Sequence, residues 1–160
     1  MKDIYQILKE LNIEYIDHKH PPVFTCEEAE KLRNNIEGAA SKNLFLRNRK
    51  GNKHYLVVLT ADKTLDLKQL EKDIGESKLG FASEERLQKY LGCGKGSVSV
   101  FGLISDQNKE VQVFIDEDLW KSDRLHYHPP GDNASTLELS QKDLQKFLDW
   151  CGNEVEFIKI

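Results

Sequence analysis

Lys42 and Asn43 open a short apolar strand, Leu44-Phe45-Leu46, that runs into a basic turn, Arg47-Asn48-Arg49-Lys50-Gly51-Asn52-Lys53. A second apolar strand, Tyr55-Leu56-Val57-Val58-Leu59, returns from it. From residue 42 to residue 61 there are five Lys/Arg, one His and no Asp or Glu, in a chain whose formal net charge is -4. A lysine at the root of a basic hairpin suits a site that handles a phosphate-bearing substrate. An ammonium is a point charge for phosphate oxygens, and neighbouring cations raise the local potential. The same residues also fit an ordinary solvated hairpin.

Other stretches could carry chemistry. Gly92-Cys93-Gly94-Lys95-Gly96-Ser97-Val98 is glycine-rich but fails the phosphate-loop pattern, because Gly96 follows Lys95 and Lys89 stands where the first glycine belongs. What remains is backbone N–H able to grip a carbonyl or phosphate oxygen, or else a plain helix C-cap and turn. His126 and His128 are two apart, so on a strand they share a face. Asp123 or Asp132 could join them on a metal, yet no HExxH or CxxC accompanies them, and no metal is expected. One of the pair is expected to close a polar pocket, beside the shaped loop that leads from His128-Pro129-Pro130 to Asn133. His20-Pro21-Pro22-Val23-Phe24-Thr25 places an imidazole, two rigid residues and an aromatic ahead of a helix, as a pocket wall or a hydrophobic staple. No GxSxG is present, and neither Cys26 nor Cys93 has a base beside it. Hydrolysis would therefore rest on positioning, backbone donors and a lysine.

These groups need elements to hold them. Ile4, Ile7, Leu8 and Leu11 predict an amphipathic helix over 3–11. Thr25 with Glu28 forms a capping-box pattern for a helix over 26–34. Asp66 and Ser83 cap helices over 66–74 and 84–91, stopped by Gly75 and Gly92. Ser140 with Asp143 starts a last helix over 141–151, stopped by Gly152. Strands are expected at 15–18, 42–47, 55–59, around Phe81, and at 98–104, 111–115, 124–128, 136–139 and 154–158. The segments 98–104 and 111–115 read as a hairpin joined by Ser105-Asp106-Gln107-Asn108. Hairpins with interspersed helices predict an α+β domain with a mixed, largely antiparallel, twisted sheet flanked by helices.

The 160 residues are expected to form one domain, 39% hydrophobic and 31% charged. No apolar run approaches the roughly 18 residues that span a bilayer, and the N-terminal residues lack a signal-peptide stretch, so a cytoplasmic location is expected. Three dispersed cysteines argue against a disulfide framework. Net acidity excludes a general nucleic-acid coat but leaves room for one basic patch, since charges act over about 10 Å at moderate salt.

Together the motifs resemble the freestanding prolyl-tRNA editing domains of the YbaK/ProX family. The resemblance rests on His20-Pro21-Pro22-Val23-Phe24-Thr25-Cys26-Glu27-Glu28-Ala29, Ser41-Lys42-Asn43-Leu44-Phe45-Leu46-Arg47, Phe81-Ala82-Ser83, Gly96-Ser97-Val98, and His128-Pro129 followed by Asn133-Ala134-Ser135-Thr136. Lys-Asn-Leu-Phe-Leu is similar to the branch that edits alanyl-tRNA(Pro); the cysteinyl-tRNA(Pro) branch has Thr where this chain has Asn43. The resemblance implies an aminoacyl-tRNA deacylase that needs no cofactor, with Lys42 indispensable and Asn43 beside it. It implies a substrate pocket of His20, Val23, Phe24, Phe45, Gly96, Ser97, Val98, Val100, His128 and Asn133. The tRNA(Pro) acceptor end would meet Arg47, Arg49, Lys50 and Lys53. A monomer in transient association with prolyl-tRNA synthetase is the expected partner state. The family's Gly-x-x-x-Pro loop maps onto residues 96–100 and ends here in Val100, so restoring proline is expected to stiffen the loop and sharpen selectivity. The alternatives are a non-catalytic binder of an amino acid or tRNA end, and an editor of another mischarged tRNA.

Overall fold

The computed structural model describes residues 3–22 and 26–160. Val23, Phe24 and the expected cap Thr25 lie outside the described residues. Helix α1 (Ile4–Glu10) starts at Asp3, whose carboxylate accepts from the Gln6 N–H in a capping box, and it buries Ile4, Ile7 and Leu8. Strand β1 (Tyr15–Lys19), helix α2 (Cys26–Asn35) and strands β2 (Ala39–Arg47) and β3 (His54–Thr60) follow. Then come α3 (Leu67–Ile74), the two-residue β4 (Gly80–Phe81), α4 (Glu84–Leu91), β5 (Val111–Asp116), β6 (Arg124–Tyr127), β7 (Ser135–Ser140), α5 (Gln141–Cys151) and β8 (Val155–Ile158). Asp66, Ser83 and Ser140 cap α3, α4 and α5 as their sequence positions predict, and Gly75, Gly92 and Gly152 stop them.

One expected strand is absent. Residues 98–104 do not extend; Val100–Ser105 is a 3-10 helix whose cap, Ser99, accepts from the Phe101 N–H. Val100, Phe101, Gly102 and Leu103 are all buried, whereas a half-covered strand would bury alternate residues. A short, wholly apolar run does not reveal its period, and here the serine cap decides. The expected hairpin is lost with it, and β5 instead lies parallel to β3 and β8.

Among the described residues eight strands form a single mixed sheet in the order β1-β7-β6-β2-β3-β5-β8, with β4 paired to β2. β1 with β7, β6 with β7, β2 with β3 and β2 with β4 are antiparallel; β2 with β6, β3 with β5 and β5 with β8 are parallel. One face carries the larger core, where Phe45, Leu56, Val58 and Leu125 meet Ile4, Leu91, Phe101 and Phe147. On the other face Leu46, Val57 and Leu59 pack with Leu70 of α3. Gly38 lets β2 begin hard against β6: its φ is +103, and a Cβ there would stand 2.6 Å from the Arg124 carbonyl oxygen.

Strand β2 positions the site. β3 covers one of its edges from Ser41 to Arg47. On the other edge β6 pairs only with Ala39 and Ala40, and β4 only with Leu46 and Arg47. The stretch from Ser41 to Leu44 is therefore an unpaired edge inside the sheet. The Phe45 carbonyl accepts from the Ala82 N–H at 2.9 Å on that edge. Backbone polarity alternates along a strand, so the N–H and C=O of Ser41 and Asn43 also point into the gap.

Candidate active site

The gap opens into a cavity of about 470 Å³, lined by Ser41, Lys42, Asn43, Leu44, Phe45, Phe81, Ala82, Leu87, Lys95, Gly96, Val98 and His128. That volume lies within the usual range for small-molecule sites, about 300–1,000 Å³. Lys42 and Lys95 are among its lining residues, and among the described residues no Asp or Glu is. Phe45, Ala82, Leu87 and Val98 give it an apolar side. The cavity thus suits an anionic or ester-bearing group joined to a small apolar one.

Three hydrogen bonds lock its walls together. The Asn43 Oδ1 accepts from the Val100 N–H at 3.0 Å, tying β2 to the 3-10 helix. Ser99 Oγ donates to the His128 carbonyl, tying the same helix to the end of β6. His128 Nδ1–H donates to the Ser135 carbonyl at 2.9 Å, which leaves Nε2 as the acceptor nitrogen of the neutral ring. His20 stands behind it, the two rings edge to face with centroids 6.2 Å apart. His20 Nδ1–H donates to the Pro21 carbonyl at 2.9 Å, and its Nε2 accepts from the Thr136 hydroxyl at 3.0 Å. Among the described residues Asn43 Nδ2 reaches only the Ser41 hydroxyl, at 3.4 Å, so that bond is weak and readily exchanged for a substrate oxygen.

The residues expected at the site divide into three groups. Lys42, Asn43, Phe45, Gly96, Val98 and His128 line the cavity. Ser97, Val100, His20 and Asn133 do not. Ser97 is turned inward, its hydroxyl and its N–H both on the Gly94 carbonyl at 3.2 Å. Val100 is fully buried and acts through its N–H. Among the described residues no backbone bond takes up the N–H of Gly96 or Val98. Val23 and Phe24 lie outside the described residues.

The basic hairpin sits apart from the cavity. Arg49, Lys50 and Lys53 surround a separate depression shared with Glu76. Arg47 Nη1 donates to the carbonyls of Asn48 and Arg49, at 3.2 and 3.4 Å, and so shapes the turn. Along β2, Arg47 is roughly 16 Å from Lys42 at a strand's rise per residue. Lys95, Phe81, Ala82 and Leu87 also line the cavity. Phe81, Ala82 and Leu87 reach it through the pairing of β4 on β2 and the packing of α4, which are long-range features, and Lys95 reaches it from the turn that follows α4.

Cys93, Cys151 and His126 serve the core. Burial raises the Cys93 thiol pKa, and its Sγ donates to the Leu91 carbonyl at 3.2 Å. Cys151 is pushed up to about 12 by burial. His126 is buried on β6 opposite Ala40 and Glu138, while His128 lies just past the end of that strand, and burial lowers the His126 pKa to about 4. Glu138 is engaged by His18 at 2.9 Å and Arg124 at 2.6 Å. Among the described residues no group of three His, Cys, Asp or Glu is placed to hold a metal ion.

Residues 20–147 match the model of the aminoacyl-tRNA editing domain. The chain belongs to that family. It is 46% identical over 153 residues to the prolyl-tRNA editing protein ProX of Acetoanaerobium sticklandii, covering 96% of this chain and 93% of that one. It is 33% identical over 149 residues to the prolyl-tRNA synthetase associated domain-containing protein 1 of Danio rerio, covering 92% of this chain and 80% of that one. The fold matches a crystal structure described as a proposed trans-editing enzyme for prolyl-tRNA synthetase, with a TM-score of 0.70 at 20% identity over 98% of this chain and 94% of that one.

Proposed function

We propose that this editing-domain protein is a trans-acting deacylase that clears mischarged tRNA(Pro), and that alanyl-tRNA(Pro) is its substrate. The observation that carries the reading is the cavity in the β2 gap, with lysines, an oriented amide and an apolar side but no acidic lining residue. The similarity to a prolyl-tRNA editing protein over nearly the whole chain supports the tRNA. A synthetase pocket built for proline cannot fully reject alanine, because each missing methylene costs only about 1–3 kcal/mol of discrimination. A second, tighter site removes the error.

In this mechanism a water attacks the ester that joins alanine to the terminal ribose. The Lys42 ammonium holds the terminal phosphate or meets the negative charge that develops on the ester oxygen. Asn43, fixed through its Oδ1 by Val100, directs its Nδ2 at the aminoacyl group. The free N–H groups of Gly96 and Val98 bind the ester carbonyl. His128 and the ribose 2′-OH complete the polar side. Ser97 is committed to Gly94 and Cys93 is buried with a raised pKa, so no covalent nucleophile is invoked. Phe45, Ala82 and Val98 exclude the larger pyrrolidine ring. The protein works as a cytoplasmic monomer without a cofactor and meets prolyl-tRNA synthetase only in passing.

The test is a deacylation screen with alanyl-, cysteinyl- and prolyl-tRNA(Pro). Release of alanine at least ten-fold faster than proline is expected, since overpacking of a fitted wall costs about 1–3 kcal/mol. Equal rates on alanyl and prolyl esters would falsify the sieve. Protection of the alanyl ester, rather than its cleavage, would make the protein a binder.

A further inference from the structure

Phe81 is 63% exposed, ahead of Ile16 at 50%, Trp150 at 46% and Phe157 at 38% among the exposed large hydrophobic residues described. Single exposed apolar residues are common on protein surfaces and need no explanation by themselves. This one differs in place and in rigidity. It is one of the residues that line the cavity, with its neighbour Ala82 and with Lys95. It is also held by a ladder: Phe81 opposes Leu46, Gly80 opposes Arg47, and the Ala82 N–H donates to the Phe45 carbonyl at 2.9 Å. The two-residue strand thus presents a fixed aromatic ring to water beside a site with two lysines.

The register also sets its direction. Phe81 shares a face of the sheet with its partner Leu46, and side chains two apart on β2 return to that face, so Leu44 and Lys42 follow it. Leu46 and Lys42 are four residues apart, about 13 Å along the strand. An aminoacylated terminal nucleoside, met by a long side chain at its ester end and a ring at its base, spans that distance.

We infer that Phe81 is the platform on which the 3′-terminal base of the acceptor strand stacks, while the ester reaches along β2 to Lys42 and Asn43. An aromatic face accepts any base, so the ring supplies affinity and orientation rather than sequence readout. This inference rests on the deacylase reading for the identity of its ligand.

The test uses binding, so that it does not depend on turnover. Two non-hydrolysable probes are titrated by calorimetry into the full-length protein: the alanyl amide of 3′-amino-3′-deoxyadenosine, and the same sugar amide with hydrogen in place of adenine. The wild type is expected to prefer the adenosine probe by about 10- to 100-fold. Phe81→Ala loses that preference while binding the base-free probe as the wild type does, which also shows that the site is folded. Phe81→Trp keeps the preference. A preference that survives in Phe81→Ala, or is missing in the wild type, overturns the inference, and it is the result expected if the ring docks a protein instead. Turnover of alanyl-tRNA(Pro) is measured separately: absent turnover with the base preference intact sinks the deacylase assignment and leaves the stacking site standing.

Discussion

Removing the Lys42 ammonium should cost the reaction far more than the fold. The side chain is half-buried at the unpaired edge of β2, and no core cluster includes it. Lys42→Ala is expected to lose at least about 10²-fold in single-turnover hydrolysis of alanyl-tRNA(Pro), the scale of deleting one preorganised charge-stabilising group. Circular dichroism should be unchanged, and a folded variant working at near wild-type rate would end the assignment. Val100 gives a second residue-scale prediction, opposite to what its sequence position suggests. Proline is tolerated at the first position of a helix, and Val100 opens the 3-10 helix, so a ring there need not disturb the backbone. It would, however, remove the N–H that holds Asn43 Oδ1. Leaving that acceptor unpaired costs about 1–3 kcal/mol. Val100→Pro is therefore expected to slow alanyl release about ten-fold or more, with no gain in the alanyl-to-prolyl ratio. Its effect should not add to that of Asn43→Ala, because both break one interaction. The type of residue at 42 and 43 was legible from sequence. The use of a backbone N–H 57 positions away was not, because a main-chain donor looks the same at every residue.

At the scale of elements, the basic hairpin and the cavity occupy different stretches of one strand. Arg49 and Lys50 are exposed at the tip and Lys53 is exposed on the return, while Arg47 spends its guanidinium on the turn's own carbonyls. We propose that these three exposed cations meet phosphates further along the acceptor stem. Neutralising Arg49, Lys50 and Lys53 together should reduce the slope of log K against log salt by about 2–3, at 0.7–0.9 per phosphate contact. Turnover at saturating tRNA should change little, because none of the three lines the cavity. An unchanged slope would place the stem elsewhere. The hairpin itself was legible, since two apolar strands flank a polar turn. The helices were legible for the same local reason: Asp66, Ser83 and Ser140 announce their starts within three residues of sequence. The gap in the sheet was not legible. It exists because β6 and β4 reach β2 from far along the chain and stop short of one another, and no local pattern records where a long-range pairing ends.

Across the whole molecule, buried histidines couple stability to pH. His54 stacks on Phe45 on the larger-core face, with Arg86 Nη1 donating to its Nε2 at 2.8 Å. Burial first, then the Arg86 charge, lowers its pKa to about 4. His126 is lowered to about 4 by burial, and the Glu138 charge that opposes this does not outweigh it. Among the described residues its buried Nε2 has no hydrogen-bond partner, so it offers a proton no stabilising contact. Both rings are neutral in the fold, whereas an unfolded histidine titrates near 6.5. Between those values the unfolded chain binds more protons than the folded one, so stability rises with pH through that window. It is complete above about 6.5 and declines as pH falls towards 4. Glu138 acts in the same direction lower down: its bonds to His18 and Arg124 hold it below the usual carboxylate range despite burial, and that contribution is lost on further acidification. Thermal melts should therefore show Tm constant from pH 8 to 7 and falling steadily from pH 6.5 to 4.5. His126→Phe removes one titrating ring while keeping the space filled, and it should make the fall in this window shallower even if it lowers Tm at neutral pH. A slope identical to wild type would mean that His126 is not held neutral by its surroundings. The consequence for function follows from position. His126 lies on the same strand as the segment leading to His128, whose carbonyl and ring anchor one wall of the cavity. In the fold His126 charges only near pH 4, so that wall keeps its anchors through the window in which stability declines, and deacylation should be lost together with the melting transition rather than ahead of it.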